Sequence, residues 1–383
     1  MQPDPRDPAF FNDPYPAYHA IRASAPVFKW EHYGIWCFAR HEDVSTLLRD
    51  RRFGREVPHR DIPLHLTKFY ANEAHSLLEL EPPRHSRLRT LVNRAFVSRA
   101  IERLRPRIEA LCHELIDRFA TDETELIETY ATPIPVVMIC ELLGVPAAMG
   151  PTLLQWSHDM VAMYQSRRDR AVEHRAEAAA IAFTGFMRDY IAERRSDPRD
   201  DLLSTLITAE SADGRLSEDE LITTAILLLN AGHEATVHAM ANGVKALVES
   251  GHEGPITTGH VEEVLRFDAP LHLFTRYAKE AVDFAGIKIA KGEEVGLMLG
   301  AANRDPDRFI DPDRFDPTRE ANAHTSFGAG IHFCVGAPLA RLELEVGLGV
   351  LFARLPQLRL AERPRYRDTF HFHGLEALKL ACR

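Results

Sequence analysis

Fifteen residues near the C-terminal end, Phe327-Gly-Ala-Gly-Ile-His-Phe-Cys-Val-Gly-Ala-Pro-Leu-Ala-Arg341, constrain this chain more than any other stretch. Cys334 stands among Gly328, Gly330 and Gly336, and Pro338 opens an apolar run through Leu339, Leu342, Leu344, Val346 and Leu348. Proline in a first turn, followed by apolar residues at helical spacing, marks a helix start. Cys334 is therefore expected just before a helix N-terminus, where unpaired N–H groups and partial positive charge favour a thiolate over a thiol. The glycines permit a tight turn that aims backbone N–H groups at the sulfur. Phe327 and Phe333 are placed to shield the sulfur from water, and His332 to reach a neighbouring anion. The residues alone also admit a plain buried cysteine in a glycine-rich loop.

The order Phe-Gly-x-Gly-x-His-x-Cys-x-Gly, with six of ten positions specified, resembles the haem-binding loop of the cytochrome P-450 family. The resemblance implies that Cys334 is the proximal ligand of haem iron, a thiolate that pushes electron density toward O–O cleavage. It places Phe327, His332 and Gly336 in the same cofactor-binding loop. The implied cofactor is haem b, iron protoporphyrin IX.

Composition narrows the remaining classes. The chain has 383 residues, 45% hydrophobic and 27% charged, an ordinary globular balance with material for a large core. A net charge of −10 argues against a general nucleic-acid binder. None of the five cysteines forms a CxxC pair, which argues against zinc. Their odd number and the missing apolar leader point to a reducing compartment, the cytoplasm, and to no membrane anchor. No linker, repeat or low-complexity block interrupts the chain, so residues 1–383 are expected to form one domain.

Taken in order, residues 26–39 alternate like a hairpin, a short helix follows near 41–50, and residues 52–80 show little periodicity. Glu81-Pro82-Pro83-Arg84-His85 then opens a helix on which His85 and Arg89 share a face. Two cationic donors on one face suit a pair of carboxylates, and equally a solvated basic face. Eight arginines and one acid, Glu102, lie between Arg84 and Arg107. Residues 100–250 read as helices, with breaks at Pro133 to Pro135 and at Gly144-Val145-Pro146. Two long charged helices between 152 and 195 are joined near Arg167 to Asp169.

Ser217-Glu-Asp-Glu220 is a capping box before a nearly uncharged helix from Leu221 to Leu247. Its middle, Asn230-Ala-Gly-His-Glu-Ala-Thr236, combines a helix-interior glycine costing about 1 kcal/mol with a carboxylate that needs pairing if buried. A plain helix crossing at Gly232 with a salt-bridged Glu234 fits the same residues. Further on come Glu263-Val-Leu-Arg266, then Pro270 and the extended Leu271 to Arg276, strands in 282–299, and Phe370-His-Phe-His-Gly374.

The resemblance extends across these motifs, from about residue 5 to 380. It assigns His85, Arg89, Arg276 and His332 to the haem propionates, and the basic stretch to docking of a ferredoxin or flavodoxin. It makes the 152–195 helices a lid over the distal pocket. It likens Ala231 to Thr236 to the oxygen-binding kink, with Ala231 against the haem and Glu234 relaying protons. Ala235 occupies the usual alcohol position, a departure, and Thr236 lies about 100° further round the helix. It pairs Glu263 and Arg266 with Arg314 as a structural triad. Candidate pocket residues are Leu227, Ala231, Leu271, Leu273, Phe274, Phe370 and Phe372, with His233, His272 or His371 as polar anchors.

The implied fold is mainly α, in the α+β class, a triangular helix-rich P-450 domain with small β-sheets. The implied activity is insertion of one oxygen atom from O₂ into a small apolar substrate by a monomeric enzyme, with electrons from NAD(P)H through separate carriers. A peroxide-using or rearranging haem-thiolate enzyme, encouraged by Ala235, is the alternative, with a non-catalytic haem sensor behind it.

Overall fold

Alternating apolar residues on either side of Gly34 build the first hairpin, Val27–Trp30 against Ile35–Phe38, with Val27 opposite Phe38 and Trp30 opposite Ile35. Gly34 takes φ +70°, which an L side chain resists. The structure, a computed structural model, describes every residue except 1, 59–60, 97–100, 120–121, 165–167, 212–213, 321–322 and 383. Arg99 of the basic stretch and Arg167 of the expected lid joint lie outside the described residues. The chain divides into two compact units, residues 1–54, 105–134 and 235–383 in the first and 55–104 and 135–234 in the second.

In the first unit the hairpin extends into a five-stranded sheet. Glu294–Leu297 runs parallel to Ile35–Phe38, then Phe274–Ala278 and Phe53–Gly54 pair antiparallel beyond it. Phe38, Phe53, Val295 and Leu297 are buried on it. The helix Ala337–Arg354 packs on Arg105–Ile116, and Tyr130 donates to the Gly347 carbonyl at 2.7 Å. A Cβ at Gly347 would lie 2.5 Å from Met240 Cε, so the flexible end of that methionine would have to shift.

Glu263 and Arg266 are fully buried and joined by two hydrogen bonds of 2.8 and 2.7 Å. The third member differs from the expectation. Arg314 is 67% exposed and pairs with Asp316, whereas Arg319 reaches Glu263 Oε1 at 3.2 Å. Arg319 follows the turn in which Asp316 N–H donates to the same Glu263 oxygen at 2.7 Å, so the turn delivers Arg319 and carries Arg314 outward.

The second unit is helical. Arg170–Ser196, capped by Asp169 on Val172 N–H, packs on Gly150–Val161 and on Thr67–Glu73. The last helix lies in the stretch that shows no periodicity. Its first turn is held from outside: Glu177 accepts hydrogen bonds from Lys68 and Phe69 N–H at 2.9 and 2.8 Å. One long helix, Glu218–Glu249, runs from this unit into the first. Its capping box is formed on both sides, Ser217 N–H to Glu220 at 2.9 Å and Glu220 N–H to Ser217 Oγ at 3.2 Å. Architecture and class are those expected, mainly helical with small sheets.

Candidate active site

Cys334 is tied down through its main chain. Its N–H donates to the Phe327 carbonyl at 2.9 Å, closing a loop in which Gly328 N–H donates to Thr325 at 2.8 Å. Gly328 and Gly330 take φ +65° and +71°. A Cβ on Gly330 would also press within 2.8 Å of the Leu48 carbonyl. Gly336 then caps the helix Ala337–Arg354, with Pro338 in its first turn. Cys334 thus stands three residues ahead of an 18-residue helix, half-buried. A side chain at Gly336 would reach only van der Waals contact with Sγ, at 3.9 Å. Phe327 lies under the Arg341 guanidinium at 4.6 Å, while Phe333 is 39% exposed and shields less than the sequence suggests.

The other four thiols are poor candidates for a metal thiolate. Burial pushes Cys112 and Cys140 up to about 11, and Cys37 higher still. Burial, and then Asp122, raises Cys382. Cys334 is the thiol that stands just before a helix N-terminus, a setting that favours a thiolate.

Arg276 is buried on the strand Phe274–Ala278, its guanidinium 4.9 Å from the Phe274 ring centre and bonded to the Thr275 carbonyl at 3.0 Å. His332 ends the short turn Gly330–His332. In the second unit, His85 is buried in the first turn of Arg84–Ala95, and Arg89, one turn on, donates to Asn93 at 3.0 Å.

On the long helix the motif is α-helical throughout, with no π or 3-10 turn at the expected kink. Gly232 sits close to Ile139: a Cβ would meet Ile139 Cγ1 at 3.1 Å, a tight contact that the isoleucine would have to ease. Ala231 is exposed on a helix that is otherwise largely buried. Glu234 is 15% exposed and lies 3.3 Å from His158 Nε2 and 3.8 Å from His233 Nε2. Ala235 is half-buried and Thr236 buried.

Several expected pocket residues belong instead to a core cluster. Leu273 and Phe370 pack with Phe10, Tyr18 and Trp30, and the Phe370 ring lies 5.1 Å from Trp30. His272 is buried beside them, 2.7 Å from the Tyr18 hydroxyl, and burial keeps it neutral. It is a packed histidine rather than a substrate anchor. Leu271 and Phe372 form a bridge, and both stay half-buried. The sequence missed His158, because its partner Glu234 lies on a different helix.

A sequence profile described as Cytochrome P450 matches residues 27–251 and 252–358. The chain is 38% identical over 395 residues to Cytochrome P450 107B1 of Saccharopolyspora erythraea, covering 97% of this chain and 96% of that one. It is 38% identical over 384 residues to Vitamin D(3) 25-hydroxylase of Pseudonocardia autotrophica, covering 96% and 94%. The crystal structure of P450BioI in complex with hexadec-9Z-enoic acid ligated acyl carrier protein superposes with a TM-score of 0.92. There the identity is 32%, over 98% of this chain and 99% of that one.

Proposed function

Because the chain belongs to the cytochrome P450 family, we propose that Cys334 is the thiolate ligand of its haem b and that electrons reach it from NAD(P)H through a separate ferredoxin or flavodoxin. It has that family's fold, binds haem b and is a P450 monooxygenase. Haem b, when bound, supplies the activation of dioxygen. The observation that carries the ligand assignment is the closed main-chain loop that sets the Cys334 sulfur before a helix start. Replacing Cys334 by Ala should abolish the thiolate-type spectrum of the ferrous carbonyl. A spectrum that survives the substitution overturns the assignment.

The remaining roles are assigned on residue chemistry. Arg276, His332, His85 and Arg89 are assigned to the propionate carboxylates. Phe327, Gly336 and Ala231 are the further residues that would hold the haem. Glu234 holds and passes a proton, with Ala235 and Thr236 beside it on the helix. With no alcohol at 235, ordered water held by Glu234, Asn230 or His233 completes the path. Ala235→Thr is then expected to leave coupling of NAD(P)H use to product unchanged or lower. A large gain in coupling would mean that the native proton path is weak.

Ala235 also favours a second reading, a peroxide-using enzyme, supported if product forms from peroxide as fast as with the electron-transfer chain. The substrate is an apolar molecule, consistent with a relative named as a vitamin D(3) hydroxylase. A carrier-bound acyl chain, as in the P450BioI complex, is the other arm of a substrate panel. Residues 1–383 act as one catalytic domain, a monomer in the cytoplasm. Among the described residues no helix is long and apolar enough to cross a membrane.

A further inference from the structure

Glu234 shares its side of the second unit with two imidazoles. His158, on the helix Gly150–Val161, brings Nε2 to 3.3 Å from Glu234 Oε2, and His233 Nε2 lies 3.8 Å from the same oxygen. The three donor atoms are all within 4.8 Å of one another. Ligands sharing one tetrahedral zinc-class ion, with bonds of about 2.0–2.2 Å, stand roughly 3.3–3.6 Å apart. The cluster is already close to that spacing.

The ring geometry points the same way. The His158 and His233 centroids are 5.8 Å apart and inclined by 55°. An ion about 2.1 Å beyond each nitrogen lies about 3.2 Å from each centroid, so this spacing corresponds to an N–metal–N angle of roughly 130°. His233 Nδ1 is 2.8 Å from the Leu229 carbonyl, which can only accept. Nδ1 therefore carries a proton, and Nε2 is the ring nitrogen that faces Glu234. Metal-bound histidines are oriented by this kind of bond.

A second trio in the first unit, Asp268, His272 and His373, makes the contrast. Its two rings are 4.2 Å apart and inclined by 30°. Its carboxylate already accepts the hydroxyls of Tyr15 and Tyr366. The same residue types there form a packed polar core.

We propose that His158, His233 and Glu234 form a binding site for a zinc-class divalent transition ion, with a fourth position left to water. Two imidazoles and one carboxylate select such an ion over calcium or magnesium, which prefer all-oxygen shells. His158 is 47% exposed, so the ion has a route from solvent. Occupancy also takes the carboxylate assigned above to proton transfer, and zinc then inhibits turnover. That consequence, unlike the site itself, rests on the proposed role of Glu234.

The test titrates zinc chloride into the haem-loaded protein by calorimetry, with His158→Ala and the control His174→Ala in parallel. Loss of an outer partner of a metal ligand already costs 10–100-fold, so loss of a ligand should weaken the site by more than about tenfold. The expected result is that weakening in His158→Ala, none in His174→Ala, and a zinc X-ray absorption edge showing imidazole ligands without sulfur. Equal affinity in His158→Ala, or sulfur in the shell, overturns the proposal. Turnover is read separately. Zinc bound through His158 with turnover untouched would keep the site and remove Glu234 from the proton path.

Discussion

Glu343, on the helix that follows the cysteine loop, is fully buried, and burial raises its carboxyl well above the usual range. A carboxyl raised in the folded state holds its proton there longer than in the unfolded chain. Its contribution is complete below the unfolded value and declines as pH rises toward the folded one. Glu343→Gln keeps the shape and removes the titration. The variant is expected to lose less stability than the wild type between mildly acid and alkaline pH, read as denaturant midpoints across that range. An unchanged pH profile would show that Glu343 is already ionised in the fold. Asp268 has the opposite sign. Burial alone would raise it, but the His373 ring, Lys245 and the Tyr366 hydroxyl outweigh burial and hold it well below the carboxylate range. Its stabilisation is therefore present at neutral pH and lost on acidification.

Single elements owe their positions to partners at different distances along the chain, and this decides how much the sequence reveals. The cysteine loop is legible because its glycines, proline and cysteine act on one another within ten residues. The helix Thr67–Glu73 is not, because Glu177 caps it from another helix. The triad around Glu263 was legible for Arg266, one turn away, and misassigned for its third member. Arg319→Ala should cost about 1–3 kcal/mol, since it strips a partner from a buried carboxylate. Arg314→Ala should stay within about 0.5 kcal/mol, as for exposed pairs. Urea midpoints of the two variants decide between them, and the reverse order would restore Arg314 to the triad. Leu273 and Phe370 were misread for a related reason. Apolar residues look alike in sequence whether they face a ligand or the rings of Phe10 and Trp30.

Across the whole molecule, the proposed docking of an acidic electron carrier rests on a local excess of arginine in a chain of net charge −10. On the helix Arg84–Ala95, Arg84 and Arg94 are exposed, while Arg87 is engaged with Glu220. Reversing Arg84 and Arg94 to Glu should slow reduction by an acidic electron carrier by about tenfold or more at low salt, with the gap closing as salt is added. Stopped-flow reduction at two ionic strengths measures this, and a rate indifferent to both changes moves the docking face elsewhere. The fold class was legible through the family resemblance that the ordered motifs carry. The contacts of Glu234 were not, because helical periodicity says which face a residue occupies but not what stands opposite.

The thiols described above carry one more consequence. Burial keeps Cys37, Cys112 and Cys140 protonated, and Cys382 is biased the same way. Oxidants and electrophiles attack the deprotonated form, and of the five thiols Cys334, half-buried before a helix start, has the setting that favours it. Loading the cofactor is then protection as well as activation. The interval between synthesis and haem insertion is when the protein is most open to irreversible damage, and that damage would fall on the one atom it cannot replace.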